Sequence, residues 1–164
     1  MSQKKIQKEV MVAAPVAEVW QAWTTAEGVL TFFAPKANVE LKIGGRYEML
    51  FNPDEPPGLQ GGEGLKILSY LPQEMLSFTW NAPPKYPTVR GQHTWVVVQF
   101  EPADADTTRV KLTHLGWQTG DEWDQVYDYF MQAWEVVLGR LQYRFSTGRI
   151  DWNNPYRSPE NSNQ

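Results

Sequence analysis

The stretch Leu112–Asp124, LTHLGWQTGDEWD, gathers the residue types that could do chemistry. His114 is one of two histidines in the chain, and Asp121, Glu122 and Asp124 follow within ten residues of it. Such a set could serve a metal site, a general acid–base pair, or a polar anchor at the end of an apolar pocket. Metal binding has the weakest support. There is no cysteine, no HExxH and no closely spaced histidine pair, so neither a bound metal nor another cofactor is expected. The carboxylates have a helix-terminal explanation. Thr119 as N-cap with Glu122 three residues later fits a capping box, and Asp121 and Asp124 would sit in the first turn, where the helix dipole favours negative charge. Alternation sets the direction of His114. Val110, Leu112 and His114 should face inward, while His93 and Trp95 in the partner strand should face outward. The two histidines therefore point to opposite faces of a sheet. An inward His114 could be a neutral structural residue, a group that orients a ligand, or a lone general acid–base; the residue types alone leave these open.

Other catalytic signatures are missing. GGEG at Gly61–Gly64 lacks the Lys-Ser/Thr that follows the glycines of a phosphate loop, and no GxSxG nucleophile elbow occurs. What remains is an interior rich in rings. The chain has 164 residues with eight tryptophans, 41% apolar and 21% charged residues. That composition predicts one globular domain, with aromatic residues filling a large core or lining a cavity. The net charge of −4 comes from interspersed signs, which argues against a nucleic-acid partner. No run approaches the roughly 20 apolar residues of a membrane helix, so no membrane partner is expected. The alternating N-terminal segment does not resemble a signal peptide, and with no cysteine a cytoplasmic location is expected.

The elements that position these residues can be read from periodicity. Lys4–Val12 alternates as a strand with Ile6, Val10 and Val12 on one face. Val16, Val19, Trp20 and Trp23 recur at helical spacing after Pro15, and Gly28 suggests a break that divides two short helices. Gly44-Gly45 predicts a tight hairpin, with Val39, Leu41 and Ile43 sharing a face before it and Tyr47, Met49 and Phe51 after it. EGLKILSYL and EMLSFTW read as a further strand pair around Pro72-Gln73, and QHTWVVVQF and TTRVKLTHL as a last hairpin around EPADAD. From Asp121 to Phe145, Trp123, Val126, Tyr127, Phe130, Trp134, Val137, Leu138, Leu141 and Phe145 form one wide apolar stripe. The domain is expected to span residues 1–145. Residues 146–164 read as a polar, loosely ordered tail that Trp152 and Tyr156 could anchor.

Specific words give the order an address. APVAEVWQAWTTAEGVLTFFAP, with Phe32-Phe33 before Pro35, resembles the first segment of the Hsp90-ATPase-activator-homologue-like (AHSA1-like) family of the START/Bet v 1-like SRPBCC superfamily. KIGGRYEM resembles its Gly-Gly hairpin, LSFTW its fifth strand, TRVKLTHLGW its last strand and QAWEVVLGRL its closing helix. The resemblance runs from about residue 4 to 145. It implies an α+β helix-grip fold: a curved antiparallel sheet of about seven strands around a long C-terminal helix, with two short helices after the first strand. It also implies binding of a small hydrophobic or amphipathic ligand between sheet and helix, without assigned catalytic residues. The residues expected to bind are Phe33, Tyr47, Met49, Phe78, Trp80, His114, Trp117, Tyr127, Phe130 and Trp134, with His114 and Trp117 near the pocket mouth. Tyr47, His114 and Tyr127 would supply oriented hydrogen bonds. Two alternatives accompany this reading. One is a polyketide-cyclase-type enzyme using His114 or Tyr47 as acid or base, and the other is an Hsp90 co-chaperone-like module. A homodimer is compatible with either. The loops at 52–62 and 81–91 are longer and richer in proline than the family pattern.

Overall fold

The computed structural model describes residues 4–157. The elements are β1 (Ile6–Val12), α1 (Val16–Thr24), α2 (Ala26–Val29), β2 (Lys36–Val39), β3 (Tyr47–Leu50), β4 (Ile67–Leu71), β5 (Met75–Trp80), α3 (Pro87–Arg90), β6 (Thr94–Asp104), β7 (Thr107–Leu115) and α4 (Asp121–Ser146). All strand pairs are antiparallel. Five strands run in the order β1-β7-β6-β5-β4, and β2-β3 forms a two-stranded ribbon beside them. The ribbon joins β4 through the bridge Arg46–Lys66 and the bonds Tyr47 N–H to Leu65 O and Ile67 N–H to Gly45 O, both 2.9 Å. Seven strands thus follow one another around a single long helix, the α+β helix-grip arrangement.

The apolar stripe explains why α4 lies where it does. Trp123, Val126, Phe130, Trp134, Val137, Leu138 and Leu141 are buried, whereas Glu135 is exposed and Tyr129 half-exposed. The period of 3.6 residues put those seven on one side, and burying them against the sheet is what makes the helix stable in water. Polar contacts fix its position along β1. Lys8 pairs with Glu135 at 2.7 Å, and the Tyr127 hydroxyl donates to the Lys5 carbonyl at 3.1 Å. The Gln142 side-chain amide donates to the Met11 carbonyl at 3.0 Å.

Three local expectations need correction. The hairpin at Gly44-Gly45 is not tight: β2 ends at Val39 and β3 begins at Tyr47. Gly44 has φ +77° and its N–H donates to the Ile67 carbonyl, while Gly45 packs under the Glu40 carbonyl, where a Cβ would collide. These glycines serve the approach to β4 rather than a two-residue turn, so Leu41 and Ile43 lie outside the strand and are exposed. The two short helices divide at Thr25, whose side chain accepts from the Gly28 N–H, and not at Gly28. Gly28 sits within α2, against the backbone of Gln21 and Ala22, where no side chain fits. The capping box is the third. Gly120, with φ +135°, is the N-cap of α4 and no side chain caps it. Glu122 instead accepts from the Val89 N–H at 2.6 Å, an unpaired amide in the first turn of α3.

After α4 the chain turns back along the segment that follows α2. Ile150 is buried and its N–H donates to the Thr31 carbonyl at 2.8 Å. The Trp152 indole donates to the Leu30 carbonyl at 2.7 Å, and the Tyr156 ring stacks on Tyr143 at 4.5 Å. The seal that Ile150 makes was not foreseen from sequence; one isoleucine between polar neighbours carries no period.

Candidate functional site

Ring stacking builds the interior around α4. Phe33 follows α2, Trp80 ends β5, and Phe130 and Trp134 lie one turn apart on α4. Their centroids form a chain: Phe33–Trp80 5.8 Å, Trp80–Trp134 5.2 Å and Trp134–Phe130 5.9 Å. On the sheet side the chain continues through His114 to Trp117 and Tyr127, at 4.5 and 5.1 Å. On the other side it faces a groove of about 540 Å³ that runs along α4. The helix supplies one wall with Phe130, Ala133, Trp134 and Val137. Phe33, Phe51, Trp80 and Tyr86 supply the other.

Of the ten residues expected to bind, Phe33, Trp80, Phe130 and Trp134 line this groove. Tyr47, Met49, Phe78, His114, Trp117 and Tyr127 do not. Tyr47, Met49 and Phe78 are fully buried under β3 and β5, with Tyr47 and Phe78 in ring contact at 4.4 Å. His114 and Trp117 are buried rather than placed at a mouth. The groups expected to offer hydrogen bonds to a ligand are engaged internally. The Tyr47 hydroxyl donates to the Trp23 carbonyl at 2.7 Å, and Tyr127 is bound to Lys5 as described. Alternation gave the inward direction of Tyr47, Met49, Phe78 and His114 but could not tell centre from edge.

His114 shows why it is architectural. Its Nε2 lies 2.7 Å from the Thr94 hydroxyl, and its Nδ1 lies 3.0 Å from the Trp134 indole nitrogen. An indole N–H only donates, so Nδ1 must be the bare acceptor and Nε2 the protonated donor. Burial holds the imidazole neutral and pushes its pKa down to about 3. The histidine therefore fixes the rotation of Trp134, one of the groove walls. Burial likewise drives the Tyr47 pKa well above the usual phenol range. Neither group faces the groove as a proton donor or acceptor.

Residues absent from the expected binding set complete the site. Phe51, Tyr86, Tyr129, Arg140 and Arg157 all line the groove. Phe51 lies just past the end of β3 and is exposed. Tyr86 and Tyr129 meet edge-on at 6.3 Å, with Lys85 over both rings. Burial raises the Tyr129 pKa against the opposing pull of Lys85. The Arg140 Nε donates to the Tyr156 carbonyl at 3.0 Å, and its guanidinium lies over the Trp152 ring. Burial and then the neighbouring Arg157 lower the Arg140 pKa to about 10, which leaves it charged at neutral pH. One donor in the walls is unsatisfied: the Trp80 indole N–H is buried and without a partner.

The two proline-rich loops meet at Arg90. Its guanidinium donates to the Ala82 carbonyl at 2.6 Å and to the Gly58 and Gly61 carbonyls at 2.8 Å, and it pairs with Glu63 at 3.4 Å. Glu63 in turn accepts from the N–H groups of Gly58, Gln60 and Gly61. Burial alone would raise the Glu63 pKa, but these backbone donors outweigh it and lower it. The loops thus form one braced rim beside the groove. Among the described residues, no group of three or more His, Cys, Asp or Glu side chains could hold a metal ion, and no helix is long and apolar enough to cross a membrane.

With the helix-grip frame in place, comparison with known families decides the relationship. Residues 13–146 match the model described as activator of Hsp90 ATPase homolog 1-like protein. The chain belongs to the AHSA1-like family. Solved structures agree on the fold. The Aha1 dimer from Colwellia psychrerythraea is 19% identical with a TM-score of 0.68, over 89% of this chain and 98% of that one. CalU16 from Micromonospora echinospora is 20% identical with a TM-score of 0.63, over 95% and 78%. DynU16, from the dynemicin biosynthetic locus, is 19% identical with a TM-score of 0.66, over 90% of this chain and 49% of that one. Comparison with curated proteins finds no match. At these identities the structural relatives of this AHSA1-like chain speak to fold alone.

Proposed function

We propose that this AHSA1-like chain binds a small hydrophobic or amphipathic molecule in the groove along α4. The observation that carries the reading is the groove itself: about 540 Å³, walled mostly by aromatic and aliphatic side chains, with a few polar groups at its edges. Burial of apolar area would drive association, at about 25 cal/mol per Å² before ordering costs. The braced rim supports the reading, because a wall already fixed loses little freedom on binding. Binding is favoured over cyclase-type catalysis by the internal bonds of His114 and Tyr47. The dimer described for the Colwellia protein makes self-association of this chain a separate proposal, which sedimentation would check.

The test uses the neutral apolar fluorophore N-phenyl-1-naphthylamine. Its emission should rise on titration with the protein, and it should be displaced by whatever small molecule native mass spectrometry finds copurifying. Ala133→Trp fills the groove from α4 and should abolish the rise while leaving the thermal transition in place. Met49 lies in the core, so enlarging it would test packing rather than the groove. If folded Ala133→Trp binds the probe as the parent does, the groove is not the site.

A further inference from the structure

The groove has a polarity that an apolar site does not need. Asp128 and Arg140 both line it, and they stand about 18 Å apart along α4 at 1.5 Å per residue. Arg157 also lines the groove, close enough to act on Arg140 and on Tyr129. Among the described residues, no carboxylate lies within ion-pair distance of either guanidinium. Arg140 is held in place rather than free, by the Tyr156 carbonyl at its Nε and the Trp152 ring at its face. Two like charges kept together without a counter-ion repel each other, and an anion between them relieves that repulsion. The second observation is independent. Trp80, 97% buried in the groove wall, has an indole N–H with no acceptor. That N–H lies in a wall built of rings, so Trp80 offers an occupant apolar surface rather than a ready hydrogen bond. The Arg140 end of the groove thus carries positive charge with no carboxylate beside it among the described residues, and what it lacks is negative charge.

We propose that the occupant is an apolar, ring-bearing carboxylate, its carboxylate between Arg140 and Arg157 and its body against Trp80 and Trp134. The proposal rests on the reading of the groove as a small-molecule site and adds the charge and orientation of the ligand. Arginine suits this role because its planar fork can meet both carboxylate oxygens at once. The aromatic walls suit a flat body, and Phe51 and Tyr129 present the exposed ring surface for it to meet.

Isothermal titration of the full chain with 2-naphthoate, 2-naphthamide and 2-naphthylmethylammonium tests it, because the three share a body and differ in charge and in acceptors. The carboxylate should bind roughly tenfold or more tighter than the amide at low salt, with the ammonium weakest. Raising salt from 0.05 to 0.5 M should shrink the carboxylate's advantage. Arg157→Gln, at an exposed position, should reduce the preference about threefold, and Arg140→Gln should remove most of it. Arg149→Gln, exposed and outside the groove, should leave it unchanged. If the amide or the ammonium binds as tightly as the carboxylate, or if Arg149→Gln weakens the preference as much as Arg157→Gln, the inference is wrong. In that case binding of N-phenyl-1-naphthylamine would still uphold the groove as a site. If neither that fluorophore nor any naphthalene binds, both readings fall.

Discussion

Two tryptophans sit side by side on opposite sides of a boundary. Trp134 donates its indole N–H to His114, which in turn meets Thr94, so every ring nitrogen in that cluster has a partner. Trp80, 5.2 Å away, has an equally buried N–H that meets nothing. The rings alone do not distinguish these regions, since both are aromatic and buried. The difference lies in the polar atoms. At Trp134 they are satisfied internally; an open indole N–H occurs both in the core, at Trp23, and in the groove wall, at Trp80. Only Trp80 joins an open N–H to a wall of the groove.

Acid breaks the closed side first. The folded pKa of His114 is about 3, below its unfolded value near 6.5, so the unfolded chain binds the proton more readily. The stability this gives is complete above about pH 6.5 and is lost as pH falls toward 3. Urea melts between pH 7 and pH 3 should show a loss on the order of 4 kcal/mol from this residue. His114→Leu removes the titration and leaves the Trp134 N–H and the Thr94 hydroxyl without their partner. A loss of about 3 kcal/mol is expected at pH 7, with a flatter acid limb, measured by the same melts. An acid limb as steep as the parent's would mean that other groups carry it.

A matched pair sharpens the comparison. Trp134→Phe and Trp80→Phe delete similar volume, but only the first breaks a hydrogen bond. Trp134→Phe should cost about 2 kcal/mol, and Trp80→Phe about 1 kcal/mol less than that, by chemical denaturation. Equal costs would erase the distinction drawn between the two rings. The smallest effect is expected at Arg157→Gln, whose thermal transition should correspond to a change within about 0.5 kcal/mol of the parent.

Much of this was legible in the sequence, and the exceptions have reasons. The stripe from Trp123 to Leu141 fixes α4 because seven apolar residues at helical spacing have one way to be buried. Alternation through Val110, Leu112 and His114 gave the inward direction of the histidine. What failed depends on distance along the chain. Glu122 satisfies an amide 33 residues upstream, which a rule about spacing of three cannot see. The glycines at 44 and 45 answer to a neighbouring strand rather than to their own turn. Tyr47 and Met49 were read as lining a site because inward-facing is all a period of two reports. Arg140 and Arg157 carry no period, and Tyr86 in a loop and Tyr129 off the apolar stripe of α4 are reached by none either.

The return of the chain to Leu30 and Thr31 has a practical consequence for anyone trimming it. The family match ends at residue 146, a natural place to cut. A chain shortened there would lose Ile150, Trp152 and Tyr156, and with them the contacts to Leu30, Thr31 and Arg140. Such a fragment would retain every strand and all of α4. Arg140 would remain in place by sequence, but its guanidinium would swing without the carbonyl and ring that now aim it. A truncated protein could thus give a good melting curve and still misreport what the groove selects.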